Sequence, residues 1–170
     1  MRLGSVAVLA FVVVSAIPSQ ASAQEAARWD FGAAASIVQY DLSGVGNTPG
    51  LVLRASRDLS PHVVLETRGL FAWPDQQSGR STLFIPEAQI QYRWNIARFT
   101  PFVGGGGGFA RVSSPVRTDW DTTLSVAGGT GVRLTERVGL MGELRLRGID
   151  NFAASTAEWS VGMTWRLPAF

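Results

Sequence analysis

From Trp29 onward hydrophobic and polar residues alternate along the chain, and no segment sustains a helical repeat. Eight alternating runs follow one another: Trp29–Tyr40, Leu51–Arg57, Val63–Trp73, Thr82–Trp94, Phe99–Val112, Thr123–Leu134, Val138–Asp150 and Ala157–Leu167. Most are about 10 to 14 residues long, which exceeds the usual soluble strand and suits a tilted strand crossing a bilayer. The connections alternate too. Those after the second, fourth and sixth runs are tight (Asp58–Pro61, Asn95–Arg98, Thr135–Arg137), and those after the first, third, fifth and seventh are longer. Short turns at one end and longer loops at the other, with an even strand count, predict an antiparallel up-and-down transmembrane β-barrel.

Polarity decides which face is inside. In VGLMGELRLRGID (Val138–Asp150), Leu140, Leu144 and Leu146 alternate with Met141, Glu143, Arg145 and Arg147. The same opposition sets Glu66 and Arg68 against Leu65, Phe71 and Trp73, and Glu87, Gln89, Gln91 and Arg93 against Ala88, Ile90, Tyr92 and Trp94. Arg133 and Arg166 extend the polar face in the sixth and eighth runs. Solvated strand faces usually carry Thr, Ser and Lys, but this chain contains no lysine. Arginine holds carboxylates bidentately in confined space, and an eight-stranded barrel is just wide enough to be filled by side chains. The expectation is a lumen plugged by ion pairs among Glu66, Arg68, Glu87, Arg93, Arg133, Glu143, Arg145, Arg147 and Arg166, with the leucines against lipid. Aromatic residues sort into two levels. Trp29, Trp94, Phe99 and Trp165 lie at the rim that carries the termini, and Tyr40, Phe71, Trp73, Phe84 and Trp159 at the other, as expected for belts at two lipid interfaces.

The first 23 residues read differently. Arg2, the short apolar stretch Val6–Val14 and Ala21-Ser22-Ala23 have the form of a secretory signal peptide cleaved before Gln24, leaving residues 24–170 as one barrel domain. Without cysteine and with a single histidine, the chain offers almost nothing for a disulfide, zinc or haem site. It has no basic run for nucleic acid.

Other candidate chemistry has plainer structural explanations. Gly104–Gly108 lacks the Lys-Ser/Thr of a phosphate loop, and glycine in a strand marks curvature or close approach. Asp58, Ser60 and His62 share one tight turn, where a nucleophile–base–orienter chain is hard to form. Glu66, Glu87 and Glu143 sit among arginines, which favours ion pairs over glycoside chemistry. Asp119 and Asp121 are few for calcium. No enzyme activity and no cofactor are expected.

The chain resembles the small eight-stranded outer-membrane β-barrels of Gram-negative bacteria, the OmpA-type transmembrane domain and its relatives. The resemblance rests on the leader, FIPEAQIQYRW (Phe84–Trp94), TPFVGGGGGFA (Thr100–Ala110), GLMGELRLRGID (Gly139–Asp150) and WSVGMTWRLPAF (Trp159–Phe170). It implies a Gram-negative outer-membrane location, outer-membrane lipid as the surroundings, and insertion by the barrel-assembly machinery, which recognises a final strand ending in an aromatic. The chain departs from that pattern at Pro168-Ala169, which shift Phe170 out of alternation. The expected role is structural or surface-interacting, with no external partner identifiable. Two alternatives stand beside it: a narrow porin-like channel for small solutes, and a soluble periplasmic lipocalin-like barrel, which would need an apolar interior.

Overall fold

The computed structural model describes residues 29–40, 46–76, 79–113, 118–150 and 154–167. The proposed leader (1–23), the terminal Phe170 and the side chain of Tyr40 lie outside the described residues. The strands are β1 (Trp29–Tyr40), β2 (Asn47–Asp58), β3 (Val63–Ala72), β4 (Asp75–Gln76), β5 (Gly79–Arg80), β6 (Thr82–Arg93), β7 (Phe99–Ser113), β8 (Thr118–Arg133), β9 (Val138–Ile149) and β10 (Ala154–Arg166). All except β4 and β5 form one closed barrel in the order β1-β10-β9-β8-β7-β6-β3-β2. Every neighbouring pair is antiparallel, and β1 closes on β10 through eleven register pairs from Asp30↔Arg166 to Tyr40↔Thr156. Closure leaves the wall without a free sheet edge, the condition for strands to cross lipid.

The alternation does what the sequence predicts. Glu143, Arg145 and Arg147 are buried in the lumen, whereas Leu140 and Leu146 are exposed on the outer wall. Val126 and Val161, at 60% and 69% exposure, sit at mid-strand on the outside, where a water-soluble protein would hold its core. The middle of the interior is therefore ionic and the outer wall apolar. This overturns the lipocalin-like alternative, whose lumen has to be greasy.

Two of the long connections turn out short. β7 runs to Ser113 and β8 starts at Thr118, so Asp119, Trp120 and Asp121 belong to a strand rather than a loop. β10 likewise begins at Ala154. In-register pairing with β7, from Val112↔Asp119 to Ala110↔Asp121, overrides the low strand propensity of aspartate. The tight turns stay tight: Asn95–Arg98 is closed by an Ile96↔Phe99 bridge, with Ala97 at φ 53°.

The glycine run of β7 answers to close approach. A Cβ on Gly106 would collide with the Ala88 carbonyl oxygen of β6, and one on Gly108 with that of Pro86. Gly142, on the outer wall, has nothing within 4 Å of that position. Gly106→Ala is expected to lower stability by about 1–3 kcal/mol through overpacking. Gly142→Ala should stay within about 0.5 kcal/mol of the parent. Urea titration of the barrel folded into phospholipid vesicles measures both.

Candidate functional site

Period-two geometry turns the even positions of β1, β2, β3 and β10, and the odd positions of β6 and β9, toward the axis. Four carboxylates, Glu66, Glu87, Glu143 and Glu158, there meet four guanidinium groups, Arg54, Arg68, Arg145 and Arg147, all buried. Glu143 of β9 accepts from Arg68 Nη1 at 2.8 Å, Arg145 Nε at 3.0 Å and Arg54 Nη1 at 3.2 Å. Arg54 and Arg68 are register partners on β2 and β3, a like-charge pair that one acid from across the barrel holds together. Glu87 of β6 takes both forks of Arg147, Nε at 2.9 Å and Nη2 at 2.7 Å. Arg147 Nη2 also reaches Glu158 at 3.0 Å, and Glu158 is bound by Arg68 Nη2.

Amides and hydroxyls take up some of the remaining valences, while Glu66 Oε2, Arg68 Nε and Gln91 Nε2 stay without a hydrogen-bond partner. Gln89 donates to Glu66 Oε1 at 2.7 Å and accepts from Arg145 Nη2 at 2.7 Å. Arg145 Nη1 donates to Ser125 at 2.9 Å. Nearer the termini, Arg166 holds Asp30 bidentately at 2.9 and 3.0 Å. Arg93 donates twice to Gln91 Oε1, at 3.0 and 2.8 Å, and lies 4.0 Å from Asp30.

The lattice is wider than the sequence reading and also narrower. Arg133, expected within it, is exposed at the end of β8. Its side chain has the right phase but the wrong height, so it lines the mouth and makes no ion pair among the described residues. Arg54, Asp30 and Glu158 were not singled out, although each has the inward phase of its strand. The leucines are not all outside either. Val38, Val52, Leu70, Leu83, Ile85 and Ile149 point inward and form a buried apolar cluster at the end opposite the termini. They share a phase with the charges, as Leu70 does with Arg68.

Trp29, Trp94, Phe99 and Trp165 are exposed at the terminus-bearing rim, where Arg57 lies over the Trp29 ring at 5.8 Å. At the other end Trp73 is exposed, and Phe71 stacks on Phe84 at 4.7 Å. Trp159 is exposed well inside β10, level with Ile37 and Leu144. Trp120, which the sequence reading placed in a loop, is a further exposed ring, with Arg111 over it at 5.7 Å.

The weaker chemical candidates find structural explanations. Ser60 Oγ accepts from the backbone N–H groups of His62 and Val63, as a turn-closing hydroxyl does. His62 is exposed, stacks on Tyr92 at 5.7 Å and lies 3.1 Å from the Arg93 carbonyl. Among the described residues no three His, Cys, Asp or Glu side chains group as metal ligands.

A closed eight-stranded barrel with an ionic interior and a greasy wall defines a small membrane β-barrel protein. The chain belongs to the outer membrane protein beta-barrel domain family, which matches residues 7–166. It is an outer-membrane protein of the Gram-negative type, embedded in that membrane's lipid. Several solved structures share the fold. Neisserial surface protein A matches with a TM-score of 0.64 at 15% identity, over 85% of this chain and 97% of its own. Ail, the attachment invasion locus protein of Yersinia pestis, matches with 0.54 at 16%, over 85% and 100%. The N-terminal barrel of Pseudomonas aeruginosa OprF matches with 0.54 at 13%, over 81% and 97%. Among curated protein sequences the chain has no match.

Two variants test the arrangement of charge. Glu87→Ala removes the bidentate partner of Arg147, leaving it the carboxylate of Glu158, and should cost about 3–5 kcal/mol, much of it recovered when Arg147→Met is added. Val126→Arg, on the outer wall, should cost about 2–4 kcal/mol if that face meets the bilayer midplane. Urea midpoints in vesicles read out both.

Proposed function

We propose that this protein is a rigid, non-conducting outer-membrane barrel with a structural or surface-interacting role, and that it is neither a channel nor an enzyme. The observation that carries this reading is the double closure of the lumen. The ionic lattice joins side chains of β2, β3, β6, β8, β9 and β10 across the interior, and the apolar cluster of Val38, Val52, Leu70, Leu83, Ile85 and Ile149 stands between it and the far end. A channel would have to break both. In this reading Glu66, Arg68, Glu87, Glu143, Arg145 and Arg147 act as the plug, with Arg93 and Arg166 below it. The exposed rings of Trp29, Trp73, Trp94 and Trp165 anchor the wall at the lipid interfaces. Export through a leader over residues 1–23 and insertion by the barrel-assembly machinery complete it. Any surface contact falls to the end opposite the termini, where the β7–β8 hairpin presents Phe109, Arg111 and Trp120 outward.

Planar-bilayer recording tests the reading. The wild-type barrel is expected to give no stable conductance, and Leu70→Gly with Ile85→Gly should still be silent, because the lattice remains. Steady single-channel steps from the wild type would sink the proposal in favour of a small-solute pore. Outer-membrane fractionation and faster gel migration before boiling than after it would establish that the recorded protein is the folded barrel.

A further inference from the structure

Below the lattice, at the end that carries the termini, the lumen opens into a cavity of about 280 Å³. Five arginines contribute to its wall: Arg54, Arg93, Arg133, Arg137 and Arg166. Among the described residues three acids line it with them, namely Asp30, Asp58 and Glu136. The cavity therefore has more positive than negative groups around it.

Its cations are not equally committed. Arg166 is matched fork to fork with Asp30, and Arg93 is engaged with Gln91. Arg54 is different. Its side chain is 4% exposed, and the acceptors it meets are all reached through Nη1: Met141 Sδ at 3.0 Å, Glu143 Oε2 at 3.2 Å and Glu66 Oε2 at 3.8 Å. One of the three is a thioether, a weak acceptor. Among the described residues, Nε and Nη2 of this buried guanidinium have no protein acceptor. Arg133 borders the same cavity without an ion pair. These donors of Arg54 are not among the enclosed atoms left without a partner, so they open onto the cavity, where a bound anion can supply acceptors.

We propose that this cavity binds a phosphate group, held by Arg54 from within and Arg133 at the mouth. A guanidinium fork matches the oxygens of phosphate, and the combination of a deep and a peripheral arginine favours a tetrahedral anion, which can turn oxygens toward both, over a planar carboxylate. Phe102 and Val64 give part of the wall an apolar character that would pack the carbon portion of a phosphate ester. The phosphate has two sources at this rim, a free phosphate or phosphate ester and the headgroup of a phospholipid. The inference goes beyond the plugged-barrel reading, and its readout is independent of conductance.

The test uses the full-length folded barrel in an uncharged, phosphate-free detergent, titrated by calorimetry with inorganic phosphate and, separately, with dihexanoylphosphatidylglycerol. Saturable binding is expected in at least one arm, and Arg133→Gln should weaken it by about tenfold or more, since charged hydrogen bonds are lost. Arg54→Gln should weaken it at least as much. Arg133 makes no lattice contact, so its variant remains informative even where Arg54→Gln fails to fold, and heat-dependent gel mobility reports which variants are folded. Binding of inorganic phosphate identifies the free anion as a ligand, and binding of the lipid alone identifies the headgroup. No saturable binding in either arm, or binding that Arg133→Gln leaves unchanged, would overturn the proposal.

Discussion

A charge inside a narrow membrane barrel has to be neutralised by another side chain. Eight strands leave an interior that side chains fill, so water cannot screen each group separately. A buried guanidinium without a carboxylate would cost several kcal/mol, of the order seen when one partner of a buried pair is removed. The lattice meets this constraint by sharing. Glu143 serves Arg54, Arg68 and Arg145, and Arg147 joins Glu87 to Glu158. Each shared group ties together strands that are not neighbours in the sheet, so the bonds brace the cylinder across its diameter as well as around its wall. Arginine suits this role because one fork reaches two acceptors, where a lysine would meet each as a point charge.

Such a lattice needs room, and β7 supplies it. At the level of the ion pairs its inward positions are Gly104, Gly106 and Gly108, which contribute no side chain. The long side chains of β6 and β9 occupy the space, Gln89 and Glu87 from one side and Arg145 and Arg147 from the other. The glycines also let the β6 backbone come closer than a Cβ would permit. Along the axis the interior then changes character, from apolar at one end through ionic to an open polar mouth at the other. Closure at the apolar end and access at the polar end follow from the same alternation, because each strand keeps its phase while its residue types change.

That explains what was legible in the sequence. Period two settles which face a residue occupies, and it places Leu140 and Leu146 outside and Arg145 and Arg147 inside. It does not settle height. Arg133 shares the inward phase of β8, but as its last residue it falls at the mouth. Leu70 and Ile85 share the phase of Arg68 and Glu87, yet lie in the apolar cluster. Residue type misled where phase would have helped: Arg54, Asp30 and Glu158 occupy inward positions that an alternation count assigns directly. The β7–β8 hairpin was hidden for another reason. Asp119 and Asp121 read as loop residues, and only their pairing with Val112 and Ala110 makes them strand.

The similarity to other barrels at 13–16% identity has a physical basis too. Lipid asks the outer wall for apolarity and little else, so Val, Leu, Ile and Trp exchange there without changing the barrel. Strand pairing asks only for backbone groups and a consistent phase. The interior is the part where particular partners have to match, because moving one charge strands another. A barrel can therefore keep its outline while its lumen is rewritten, and a shared outline says little about what each protein does. Whatever is distinctive in this protein is to be sought in its lumen and at its two ends, in the side chains that the bilayer does not dictate.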